Sequence, residues 1–137
     1  MSHFCGIQLL IKDSACLLEA LIEMGWKLEQ IEIHEPATNL YGFEGDKRKD
    51  VANIIIRRRF VGSASNDIGF FKESDGNYTA IISEYDRSNR YGDTWLNKLK
   101  QQYGIKVVER QAKLKGMSVK KSTKEDGTIQ LILQKAG

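Results

Sequence analysis

Two cysteines, two histidines and a single proline are all that this chain of 137 residues holds of each type, and the scarcity narrows its chemistry. Structural zinc takes about four ligands, usually offered in local pairs such as C-x₂-C. No such pair exists here, since Cys5 and Cys16 fall on different expected elements and His3 and His34 are far apart in sequence. The two thiols are therefore expected to be reduced, metal-free and structurally inert. No apolar run approaches the ~20 residues of a membrane span, and the opening MSHFCGIQLLI lacks the basic flank of a signal peptide. A soluble, cytoplasmic chain without membrane contact is expected. One proline and scattered glycines exclude linkers, collagen-like repeats and a disordered tail. Phosphate-binding and nucleophile motifs are missing too: the glycines of YGFEGDKRKD are not followed by Gly-Lys-Ser/Thr, and neither G-x-G-x-x-G nor G-x-S-x-G occurs. No catalytic residue, cofactor or metal is expected, and the chain is not expected to be an enzyme.

What is present is enough for a core. With 41% hydrophobic residues, the chain is expected to form one domain over residues 1–137, burying roughly two-thirds of its unfolded surface. The net charge of +3 is unevenly spread. From Glu19 to Asp46 seven acids stand against Lys27, and from Trp95 to Lys124 eight lysines and Arg110 stand against Glu109. The front is acidic and the back basic.

HFCGIQLLI alternates, with Cys5, Ile7, Leu9 and Ile11 on one face, and reads as a half-buried strand with His3 at its start. In DSACLLEALIEMG, Asp13 or Ser14 caps a helix whose stripe is Leu17, Leu18, Leu21 and Ile22, and Gly25 ends it. WKLEQIEI predicts a strand with a bulge near Glu29, followed by a loop after Pro36, a strand near Leu40, the charged turn GDKRKD and the β-branched strand VANIIIRRRF. Asp75-Gly76 and Asp126-Gly127 each lie between strand-forming runs and predict hairpins with type I′ turns. Gly127→Val is accordingly expected to cost more stability than Gly137→Val. A second helix runs from Asp93 or Thr94 to Gly116, with Gly104 as a break point. The fold class is α+β: an antiparallel sheet of about six to eight strands with two helices on one face, in the order β-α-β-β-β-β-β-α-β-β.

Basic residues supply the candidate contacts. Strand parity in IIIRRRF places Arg57 and Arg59 on one face, joined by Lys47, Arg48 and Lys49 from the preceding turn, while Lys113, Lys115 and Lys120 represent the basic back. These eight cations either pair with the acidic front or meet a partner or a phosphate backbone. RNA recognition also asks for stacking aromatics. SEYDRSNRYGDTW offers Tyr85, Arg87, Arg90 and Tyr91, diluted by Asp86 and Asp93. Gly42-Phe43-Glu44-Gly45 is superficially similar to the G-x-x-G clamp of KH domains, although its interior is acidic.

The MSHF opening, the glycine segment from Gly42 to Arg48, DIGF at Asp67 to Phe70, DGNY at Asp75 to Tyr78, LNKLKQQY at Leu96 to Tyr103 and the closing DGTIQLIL follow one another in an order that resembles the hypothetical chloroplast reading frame thirty-five family. The resemblance covers nearly the whole chain. It departs after the first Asp-Gly hairpin, where the family carries tryptophan and this chain reaches Trp95 only later. The family has no established activity or catalytic residues, and the resemblance implies plastid stroma as the compartment for a chain of plastid origin. Some relatives are associated with AAA-type ATPase neighbours, which implies an adaptor. The reading is thus a non-enzymatic protein-interaction module whose partner is a protein, an AAA-type ATPase or a second copy of itself; RNA binding through the basic surface is the alternative.

Overall fold

In the computed structural model, which describes residues 3–135, the first strand, β1 (Phe4–Gln8), leads to α1 (Ser14–Glu23). Asp13 caps that helix: its Oδ1 accepts from the Cys16 N–H at 3.1 Å, satisfying a donor the first turn cannot pair internally. Leu17, Ala20 and Leu21 enter the core, and Gly25, at φ +112°, turns the chain away. Trp26–Gln30 is not the expected strand. Leu28–Gln30 forms a 3-10 turn with Leu28 exposed, because pairing with the next strand begins only at Ile31.

β2 (Ile31–Tyr41) and β3 (Lys47–Ile56) form one long antiparallel hairpin, from Ile31 opposite Ile56 to Tyr41 opposite Lys47. The loop expected after Pro36 is instead a register shift within β2, around the cis Glu35–Pro36 peptide. Lys47, Arg48 and Lys49 belong to β3 itself, and the turn before them is Gly42–Asp46.

The strand expected to run through Phe60 stops at Ile56, and Arg58–Val61 is a short helical turn, α2. Arg57 and Arg59 therefore share no strand face. The cause is a residue distant in sequence: the Asp67 carboxylate accepts the Arg58 backbone N–H at 2.7 Å and the Arg57 guanidinium at 2.8 Å, and pulls the chain out of the sheet.

After β4 (Ile68–Lys72) and β5 (Tyr78–Ser83), the short α3 (Glu84–Asn89) precedes α4 (Asp93–Leu114), β6 (Met117–Thr123) and β7 (Ile129–Lys135). α4 is continuous through Gly104. The α+β, antiparallel character holds, but the strands divide into two sheets. One has the order β1-β5-β4-β3-β2, and β6 and β7 form a separate two-stranded sheet. Among the described residues, four α-helices stand where two were expected.

One face of the larger sheet buries Ile54, Ile56, Phe70, Ala80 and Ile82 against Leu17 and Leu21 of α1 and Leu96 and Leu99 of α4. On the other face the long hairpin bends back, packing Leu40, Ala52 and Ile55 with Phe4 and Ile81. Gly69 permits this approach: a Cβ there would lie 2.6 Å from the Ala52 Cβ.

Both Asp-Gly sites make hairpins, and the turn differs from the expected type. Glu73 N–H donates to Asn77 C=O at 2.8 Å and Gly76 N–H to Glu73 C=O at 2.9 Å. Only the glycine has positive φ, +89° at Gly76 and +87° at Gly127. This is the three-residue loop in which a type I turn is followed by a left-handed glycine. Gly42–Asp46 repeats it, with Gly42 N–H to Asp46 C=O at 2.8 Å and Gly45 at φ +79°, so the G-x-x-G stretch is a hairpin turn. Gly137 lies outside the described residues.

Candidate functional site

α2 separates two recesses, one charged and one aromatic. The charged recess, about 330 Å³, is lined by Glu32, Tyr41, Arg57, Arg58, Arg59 and Asp67. Asp67 is wholly buried. Its Oδ2 accepts from the Tyr41 N–H at 2.7 Å and from Arg57 Nη1 at 2.8 Å, and its Oδ1 from the Arg58 N–H. Arg57 Nε also reaches both oxygens of Glu32 at 3.1 Å, and Glu32 in turn holds His34 Nε2 at 2.7 Å. Hydrogen bonding from Arg57 draws the Glu32 carboxyl below its ordinary value, against a smaller opposing effect of burial. For Arg57 burial works against the charge, yet the pairs with Glu32 and Asp67 prevail and its pKa is raised. A guanidinium held by two carboxylates and lying 5.5 Å from the Tyr41 ring has little left to offer a ligand. It fixes α2 in place.

Next to it, the buried side chains of Asn66, Ser83 and Asp86 anchor the loop before β4 to α3. Asn66 N–H and Ser83 Oγ each donate to Asp86 Oδ2 at 2.9 Å, and Asn66 Nδ2 donates to Ser83 Oγ at 2.9 Å. Ser83 also caps α3, accepting from the Asp86 N–H at 3.1 Å. These bonds set where the chain re-emerges at Arg90 and Tyr91.

The aromatic recess, about 400 Å³, lies across α2 and includes Trp26, Phe60, Arg90, Tyr91 and Trp95 in its lining. Tyr91 forms its floor, buried, with its hydroxyl donating to the Val61 carbonyl at 3.0 Å. Burial raises the pKa of that phenol, so it stays neutral. Trp95 stands edge-on to Tyr91 at 5.2 Å, and Trp26 lies tilted over it at 6.3 Å. Arg90 covers the Tyr91 ring at 5.9 Å and Arg59 the Phe60 ring at 4.7 Å. Both guanidiniums belong to exposed residues. The rings of Trp26, Phe60 and Trp95 are themselves packed against the core, and aromatic rings beside exposed arginines are residue types that concentrate at binding interfaces.

The structure disperses the eight cations singled out in the sequence. Arg57 and Arg59 flank one recess, the first neutralised by its two carboxylates and the second lying over the ring of Phe60, which also lines the aromatic recess. Lys47 and Lys49 are exposed on β3, while Arg48 lies over Phe4 at 5.1 Å and 3.8 Å from Asp46. Lys113 and Lys115 sit at the far end of α4, and Lys120 on β6. Among the described residues, no group of three or more His, Cys, Asp or Glu side chains could hold a metal ion. Cys16 is buried and desolvation raises its pKa, while Cys5 is half-buried.

Sequence reasoning named Arg90 and Tyr91 but missed Trp26 and Trp95 as their companions. Trp26 counted as a strand residue and Trp95 as core stripe. The local signal was the change of strand parity between Trp26 and Leu28 on one side and Ile31 and Ile33 on the other, which marks the 3-10 turn at Leu28–Gln30 in place of a bulge.

The family described as "Protein of unknown function (DUF1257)" matches residues 20–132. The chain is 28% identical over 137 residues to a protein of Cyanophora paradoxa named "Uncharacterized protein ycf35", covering 98% of each chain. No solved structure matches. Among the described residues, no helix is long and apolar enough to cross a membrane.

Proposed function

The chain belongs to the family of proteins of unknown function DUF1257, and on that premise we propose that it is a non-enzymatic interaction module. It takes an acidic protein segment with an apolar anchor into the groove between Trp26, Phe60, Tyr91 and Trp95. The observation that supports this reading is Arg90 among the aromatic lining, over Tyr91, with Arg59 over the ring of Phe60 beside it, the residue types in which interface energy concentrates. The anchor fills the recess and carboxylates beside it meet the two arginines.

RNA is the other ligand that aromatics and arginines can stack. The lysines that would follow its backbone are badly placed for it. α4 rises about 1.5 Å per residue, so Lys113, eighteen residues after Trp95, lies roughly 27 Å along the axis from the groove. Stacking platform and basic surface sit at opposite ends of one helix.

Trp26 and Trp95 are the only two tryptophans in the chain, so tryptophan fluorescence reports on the groove alone. A short peptide of glutamates around leucine and phenylalanine is expected to shift that emission saturably. Reversing both Arg59→Glu and Arg90→Glu, two exposed positions, is expected to weaken binding at least about tenfold, the loss of some 1.4 kcal/mol. A shift with oligouridylate and none with the peptide transfers the groove to RNA. No shift with either overturns the reading.

A further inference from the structure

We propose that a second copy of this chain pairs with the open edge of β7, so that two β6–β7 hairpins join across a two-fold axis at Ile132 into one four-stranded antiparallel sheet. This surface is separate from the aromatic groove and does not depend on it.

The two outer edges of the small sheet differ in kind. β6 carries Lys120 and Lys121 in its middle and leads to Lys124, and lysines on an edge oppose strand addition. β7 carries no charge from Thr128 to Gln134 and contains no proline, which leaves its edge a template for pairing. Within β7, Gln130-Leu131-Ile132-Leu133-Gln134 reads the same in both directions. Laid antiparallel on its own copy about Ile132, it places Gln130 opposite Gln134, Leu131 opposite Leu133 and Ile132 opposite itself.

Backbone parity agrees with that register. Lys124 N–H donates to Thr128 C=O at 2.8 Å, and Thr123 faces Ile129 in the ladder. Antiparallel pairs alternate between bonded and unbonded, so Thr128, Gln130, Ile132 and Gln134 turn their amides toward β6. Ile129, Leu131, Leu133 and Lys135 turn theirs outward. In the two-fold register Leu131 meets Leu133 and Ile129 meets Lys135, so every outward amide finds an outward carbonyl. Ile132 occupies an unbonded pair on the axis.

Side chains and charge also suit this occupant. Leu133 is 50% exposed and Ile132 41% exposed, on opposite faces of the hairpin, and the pairing covers both. Each Lys135 ends near the acidic turn of the other copy, Glu125 and Asp126, at both ends of the interface by symmetry. α4 packs on the hairpin from the side of Lys121, whose Nζ lies 3.3 Å from Glu109 Oε2, and it contacts β6. With strands about 4.8 Å apart, the two α4 helices stand roughly 14 Å from each other, wider than the 8–10 Å of packed helices, and do not collide.

Light scattering on the eluting full chain is expected to give twice its 15.6 kDa mass. Ile132→Lys, at a half-exposed position facing solvent, sets two ammonium groups against each other on the axis and is expected to give a monomer with an unchanged circular dichroism spectrum. Ile132→Cys is expected to form an intermolecular disulfide on mild oxidation, because an unbonded antiparallel pair brings the two Cβ atoms within reach. Gln130→Cys, displaced from its own mate by four residues, is expected not to. A monomeric wild type, a dimeric Ile132→Lys protein, or equal crosslinking by the two cysteine variants would overturn this pairing.

Discussion

Asp67 has no exposed surface and accepts three hydrogen bonds, two from backbone amides and one from Arg57. Removing its carboxylate leaves those two backbone amides without their acceptor and Arg57 with Glu32 alone, at a cost of about 1–3 kcal/mol for each unsatisfied group. Asp67→Ala should lose stability of that order in urea denaturation. Asp93→Ala, which breaks an exposed pair with Arg87, should change it by less than about 1 kcal/mol. Glu32 extends the same cluster into acid. Its folded pKa is depressed, so the stability it contributes is complete above the ordinary value of 4.5 and is lost as pH falls through the folded value. The melting temperature of Glu32→Gln should therefore start lower at neutral pH and fall less steeply in acid than that of the wild type. Parallel curves for the two proteins would show that the Arg57–Glu32 pair contributes nothing.

The three glycine-ended hairpin loops differ in what they hold together. A Cβ at Gly76 or Gly127 would meet nothing within 4 Å, so a substitution there costs backbone strain alone, roughly 1–2 kcal/mol. Gly76 closes β4 on β5 in the main sheet and Gly127 closes the separate hairpin. Gly76→Val should lower the global melting temperature, while Gly127→Val should leave it nearly unchanged and speed amide exchange in β6 and β7 only. Equal global losses would mean that the two sheets melt together. These loops were legible in sequence because Asp-Gly acts locally; their type was not, since it depends on how many residues leave the ladder. α1 and α4 were legible for the same local reasons, an Asp13 cap and a three-and-four stripe. The Arg58–Val61 turn was hidden because the carboxylate that bends it arrives nine residues later, and parity counting assumes a strand that continues. The aromatic groove was hidden for a related reason: Trp26 and Trp95 come together on Tyr91 only once α1, α2 and α4 are packed.

Across the whole molecule, every buried residue among those described lies between Leu9 and Ala112, and none belongs to β6 or β7. The hairpin rests on the last turns of α4 through half-buried Met117, Val119, Ile129 and Leu131 and the Lys121–Glu109 pair. A two-stranded hairpin alone in water is marginal at best, and ordering its backbone costs about 1–2 kcal/mol per residue. Its net contribution to the main core should be small. A chain ending at Gly116 should keep the five-stranded sheet, melt within a few degrees of the full chain, and still shift its tryptophan emission with the acidic peptide. It should also be monomeric at concentrations where the full chain is a dimer. The two outcomes are separable because the groove lies at the start of α4 and the hairpin at its end. Loss of near-ultraviolet circular dichroism in the shortened chain, where Trp26, Tyr91 and Trp95 form the main aromatic cluster, would show that the hairpin holds the core together after all.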